Sequence, residues 1–79
     1  MQKSFGTGDQ TRLQNLLIEV RKEAGLTQVE LSLRLGRPQS FVSKYEHGER
    51  RLDLPELRQV CAALNISLLD FVRRYESLL

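Results

Sequence analysis

Residues 27–51, TQVELSLRLGRPQSFVSKYEHGERR, carry two short amphipathic helical patterns separated by only a few residues around Gly36. Helices this brief are marginal on their own. They must bury their apolar faces against each other and against flanking helices, and a joint this short fixes the angle between them. The chain is therefore constrained to a helical domain in which one short helix is held rigidly against another.

The rest of the sequence supplies the supporting helices. Leu13, Leu16, Leu17, Val20 and Ala24 recur at i, i+3, i+4, i+7 and i+11, the stripe of a core-facing helix. Gly25 follows where a helix usually closes. Three further starts carry capping chemistry: Thr27 with Glu30, Asp53 with Glu56, and Ser67 with Asp70. In a capping box the first side chain accepts from an orphan backbone N–H, and the acid accepts in return from the cap's own N–H. The last pair uses the shorter Asp and is the weakest. Pro38 fits the first position of a new helix and Pro55 the first turn of the next, where a missing N–H costs nothing. Gly48 ends the helix that Pro38 begins, and a final helix runs from Ser67 toward Ser77. The pattern predicts five helices and no strand: a compact all-α domain over residues 9–79, behind a polar, flexible lead-in over residues 1–8.

Seventy-nine residues make one domain with a small core. A formal charge of +2 permits nucleic-acid contact without requiring it. Cys61 is the only cysteine, and its neighbours Val60, Ala62, Ala63 and Leu64 mark it as a small buried hydrophobe. With one His and one Cys, no metal site is expected within a subunit. The sequence shows no nucleophile–base constellation, no Gly-rich phosphate loop and no ligand cluster, so neither an enzyme nor a cofactor is expected. No apolar run approaches membrane-spanning length and no signal peptide is apparent. The expected location is a reducing cytoplasm, with the nucleoid.

At about 100° per residue, Gln39, Ser40, Ser43 and Lys44 share one arc of a helical wheel, with Val42 and Tyr45 opposite. Gln can pair bidentately with adenine, Ser can donate or accept, and Lys suits guanine or phosphate. A helix carrying this set could read base edges in the major groove. The same four residues would also line an ordinary solvated face. Phe41 lies at the edge of the apolar arc; packing against the preceding helix and contact with a thymine methyl or sugar both remain open.

The stretch resembles the Cro/C1-type helix-turn-helix family, also called the XRE family, of bacterial and phage transcription regulators. The matching marks are Arg21, Gly25-Leu26-Thr27-Gln28, Glu30-Leu31, Leu35-Gly36, Gln39-Ser40, Val42-Ser43-Lys44, and Glu46 with Gly48. Leu57, Val60, Ala63-Leu64 and Ser67-Leu68 extend the match, which covers roughly Leu13 to Tyr75. The resemblance implies a lambda-repressor-like fold whose second and third helices form the helix-turn-helix. It implies base contacts by Gln39, Ser40 and Lys44, with Ser43 on a base or a phosphate. It places Thr27 and Gln28 on the DNA backbone, and it joins Arg21 to Glu46 as a structural ion pair. Two departures matter. Arg37-Pro38 stands where many members have a valine and a capping serine, so Arg37 is assigned to the backbone. His47 replaces a frequent asparagine, either as an exposed helix-end residue or as a pH-sensitive phosphate contact. Arg50 and Arg51 fall where a loop would pass the DNA backbone, with surface solubility as the competing explanation.

Leu68, Val72, Tyr75, Leu78 and Leu79, with Leu69 and Phe71, cover more than one face of the last helix and tail. One small core has trouble covering them all, and contiguous apolar surface usually marks an interface. Family operators are typically two half-sites read by a two-fold dimer. The reading is a homodimeric regulator, expected to be a repressor, on double-stranded DNA. The alternative is a protein-interaction module on the same scaffold, such as an antitoxin component.

Overall fold

The computed structural model describes residues 7–79. It contains α1 (Thr7–Glu23), α2 (Gln28–Leu35), α3 (Gln39–Glu46), α4 (Leu54–Ala63) and α5 (Leu68–Ser77). No strand occurs among the described residues. Residues 1–6 of the expected lead-in lie outside the described residues, while Thr7 and Gly8 already belong to α1.

Local chemistry sets the helix starts. In α2, Glu30 N–H donates to Thr27 Oγ1 at 3.0 Å and Thr27 N–H donates to Glu30 Oε1 at 2.9 Å. The same reciprocal box opens α4 through Asp53 and Glu56, at 2.8 and 3.0 Å. In α5 only the forward half forms, Asp70 N–H to Ser67 Oγ at 3.0 Å, and the Asp70 carboxylate lies 3.5 Å from Arg73 instead.

The α2–α3 joint is Gly36, Arg37 and Pro38. Gly36 takes the left-handed conformation (φ 67°), and Arg37 N–H reaches back to the Ser32 carbonyl at 3.0 Å, satisfying an acceptor left over at the helix end. Pro38 does not occupy the first helical position expected of it. It is the N-cap, extended at ψ 153°, and its carbonyl accepts the first helical bond from Phe41 N–H at 3.0 Å. A proline has no side chain to cap with, so here its contribution is a fixed φ.

The core draws on every helix: Leu16, Leu17 and Val20 from α1, Leu31 from α2, Phe41, Val42 and Tyr45 from α3, Val60 and Cys61 from α4, and Phe71 from α5. Ala24, expected on the core stripe, is exposed because α1 ends one residue before it. Cys61 is buried, and burial pushes its thiol up to about 11, so it is an unreactive filler at neutral pH. α5 is riveted to α1: Arg74 Nη2 bonds Glu19 at 2.7 Å and Nη1 bonds Glu23 at 2.8 Å, and the Tyr75 hydroxyl donates to the Asp9 carbonyl at 3.3 Å.

One ion pair fixes α3 on α1. Arg21 donates from Nε to Glu46 Oε2 at 2.7 Å and from Nη2 to Oε1 at 3.1 Å, while its Nη1 holds the Leu26 carbonyl at 2.8 Å. The Glu46 side chain is only 3% exposed. Arg21→Ala would leave that carboxylate buried without its counter-charge, a loss of about 3–5 kcal/mol. For a domain of this length the melting temperature should drop by more than about 10 °C. Thermal unfolding followed by circular dichroism checks this, and a melt within a few degrees of the wild type would contradict a structural role for the pair.

Candidate nucleic-acid interface

The two faces of α3 separate cleanly. Gln39, Ser40 and Lys44 are exposed and Ser43 is half-buried, while Phe41, Val42, Tyr45 and Glu46 are buried. Phe41 thus belongs to the core, its ring edge-on to Tyr45 at 5.5 Å and 76°. Lys44 and Arg51 make no ion pair among the described residues, so each presents its full charge to solvent.

The Arg21–Glu46 pair continues into the exposed face. Gln28 donates from Nε2 to Glu46 Oε1 at 2.9 Å, and Gln39 donates from Nε2 to Gln28 Oε1 at 3.4 Å. A relay therefore runs from α1 through α3 and the first residue of α2 back to the first residue of α3. Its effect is positional: the Gln28 amide is oriented by its two partners, and the outermost amide, Gln39, is aimed by the weakest bond of the chain. At the α2 N-terminus the capping box engages the Thr27 and Glu30 N–H groups, and the first-turn N–H groups of Gln28 and Val29 remain directed out of the helix end.

His47 caps the other end of α3. Its Nδ1 lies 2.7 Å from the Ser43 carbonyl, which can only accept, so Nδ1 carries a proton. Ser43 Oγ is 3.3 Å from the same nitrogen. Beyond it, Gly48 adopts φ 82°, and a Cβ there would collide with the Gln14 side-chain amide.

Arg37 and Arg50 meet beside the first turn of α3, an arrangement that sequence reading missed. Both stack on Phe41, and both face Glu56 of α4. Arg50 grips the carboxylate with two hydrogen bonds of 3.0 and 2.7 Å. Capping signalled Glu56 at the start of α4, but nothing local in the sequence pairs it with either arginine. Of the expected interface residues, Leu68 and Tyr75 are half-buried and pack against the core. Val72, Leu78 and Leu79 are exposed, together with Leu69. Val29, Leu33 and Leu54 form further exposed apolar surface that sequence reading also missed.

A helix-turn-helix family model matches residues 17–71. Among solved structures, the chain is similar to an XRE-family like protein from Pseudomonas syringae pv. tomato str. DC3000, at 41% identity and TM-score 0.88, covering 95% of this chain and 92% of that one. It also shares its fold with the restriction-modification controller protein C.Esp1396I, at 20% identity and TM-score 0.81 over 87% of this chain and 88% of that one. A point mutant of that controller aligns at 22% identity with the same TM-score, over 87% of each chain. No curated protein matches at the sequence level. The chain belongs to the XRE-type helix-turn-helix family and is a DNA-binding regulator of transcription. No helix among the described residues is long and apolar enough to cross a membrane.

The Glu56 cluster has a pH signature. The Arg50 hydrogen bonds, and then the Asp53 N–H, hold the Glu56 carboxyl down at about 2, against an ordinary 4.5. A depressed carboxyl stabilises the fold fully above its unfolded value, and that contribution is lost as pH falls toward the folded value. Stability should therefore decline between about pH 4.5 and 2, and Glu56→Gln should flatten the decline in that window. Urea melts of both proteins across those pH values measure it; parallel curves would count against the pairing.

Proposed function

We propose that the chain acts as a homodimeric repressor on a pseudo-palindromic duplex site, with α3 in the major groove. The observation that carries this reading is the division of α3: a buried face locked by Arg21–Glu46, and an outward face of Gln39, Ser40, Ser43 and Lys44. Side chains held on a rigid helix can meet base edges with little loss of conformational freedom. Gln39 suits adenine, Lys44 guanine, and the two serines either strand. Phosphates flank these contacts at Thr27 and Gln28, whose end of α2 favours anions, at His47, and at Arg37 and Arg51 on the two loops bordering α3. The dimer is supported by Val72, Leu78 and Leu79, which with Leu69 leave α5 and the chain end apolar and uncovered.

Selection from randomised duplex DNA should enrich a two-fold motif, whereas sequence-blind recovery would contradict direct reading. On the enriched site, Gln39→Ala should cost about 1–3 kcal/mol and relax preference at one base position. Unchanged affinity and preference would remove Gln39 from the base contacts.

Sedimentation of the free protein at micromolar concentration should show a dimer. Val72→Glu should yield a folded monomer whose melting temperature no longer rises with protein concentration, because Val72 lies outside the core. A wild type that sediments as a monomer overturns the interface in the free protein.

A further inference from the structure

Four segments converge beside the first turn of α3. Arg37 comes from the joint before it, Phe41 from its first turn, Arg50 from the loop after it, and Glu56 from the capping position of α4. The guanidinium carbons of Arg37 and Arg50 lie 4.3 and 4.9 Å from the Phe41 ring centroid. Cations within about 6 Å of a ring are attracted to its face. Phe41 therefore steadies both arginines alike, and the difference between them comes from the carboxylate.

Glu56 treats the two unequally. Arg50 gives Nη1 to Oε1 at 3.0 Å and Nη2 to Oε2 at 2.7 Å, and its Nη1 also holds the Arg51 carbonyl at 3.2 Å. Arg37 approaches only to 3.7 Å, too long for a hydrogen bond; the two side chains are about equally exposed, at 39% and 37%, so the contrast lies in the contacts. Most of the Arg50 fork is thus committed within the protein, with its charge matched in bidentate geometry. Arg37 keeps its N–H donors and its reach.

We propose that Glu56 decides which arginine beside α3 meets the DNA backbone, withholding Arg50 and leaving Arg37, stacked on Phe41, as the phosphate ligand. The proposal rests on the DNA-binding reading above. Glu56 cannot simply follow Arg50 outward, because Oε1 also accepts the Asp53 N–H at 3.0 Å in the α4 capping box. A phosphate that pulled Arg50 away would strip the carboxylate, only 14% exposed, of its two guanidinium hydrogen bonds and bring a negative charge beside it, leaving the Asp53 N–H and the looser Arg37 contact. Both consequences oppose the exchange.

Salt dependence reads the number of phosphates neutralised, at a slope of about −0.9 per contact in a plot of log affinity against log salt. The probe is a labelled mixed-sequence duplex, since phosphate contacts do not depend on base order. Glu56→Gln removes the charge, and glutamine can still serve in a capping box. The variant should bind more tightly at low salt and steepen the slope by about one. That is roughly a further threefold to fourfold change in affinity between about 50 and 200 mM salt. The double variant Glu56→Gln, Arg50→Gln should return to the wild-type slope. A Glu56→Gln protein that stays folded at the assay temperature but keeps or loses slope overturns the proposal, as does a double variant that stays steep.

A measurement on the unaltered protein gives an independent reading. In arginine Nε–H NMR spectra, the Arg37 and Arg51 signals should shift as duplex is added while Arg50 stays in place. An Arg50 signal that moves with Arg51 overturns the assignment. Should the wild type bind no duplex at any salt, the DNA-binding reading falls as well. If Arg51→Ala flattens the slope while Glu56→Gln does nothing, only the role of Glu56 falls.

Discussion

The buried Glu46 carboxylate is the point on which the rest of the arrangement depends. Taking a carboxylate out of water is costly unless both oxygens are occupied. Here Arg21 of α1 occupies both, and Gln28 of α2 adds a second bond to Oε1. One residue of α3 thus ties three helices together. Pairs of this kind often add little net stability, but their geometry is demanding. That demand sets how α3 is rotated: with Glu46, Val42 and Tyr45 turned inward, Gln39, Ser40 and Lys44 can only turn outward.

A second brace differs in kind from the first. Arg37, Phe41, Arg50 and Glu56 gather at the margin of the fold, where water screens the charges and the aromatic ring supplies the common surface. The inner brace fixes the angle of α3. The outer one fixes the two loops that border it. A net charge of +2 says little about either; what matters is that Lys44 and Arg51 have no ion-pair partner among the described residues while Arg50 is held by an acid.

Much of this was legible in the sequence because its causes are local. Capping boxes act over three residues and apolar stripes over a few turns, so all five helices, the buried face of α3 and the weakness of the Ser67–Asp70 cap could be read directly. The Arg21–Glu46 pair was reached only through family resemblance, since its partners lie 25 residues apart. Where cause is not local, reading failed. Pro38 became a cap because its carbonyl was needed for the first turn, and Ala24 fell outside the core because α1 stopped short. Leu68 and Tyr75 could not be told from Val72 by pattern, as their burial depends on where α1 and α4 lie. Glu56 could be seen as a cap but not as the partner of Arg50, because that contact depends on the course of the loop after Gly48.

The rivet between α5 and α1 has a mechanical consequence. Arg74 clasps Glu19 and Glu23, and α1 in turn holds α3 through Arg21. The path from α5 to the exposed face of α3 thus runs through a side-chain contact at each step, exposed at Arg74 and buried at Glu46. In a pair of molecules joined through α5, the separation of the two reading heads would be a property of the protein, as in a pair of calipers. The duplex would then have to twist or bend to that gauge, so base steps lying between the touched ones would influence affinity through their stiffness.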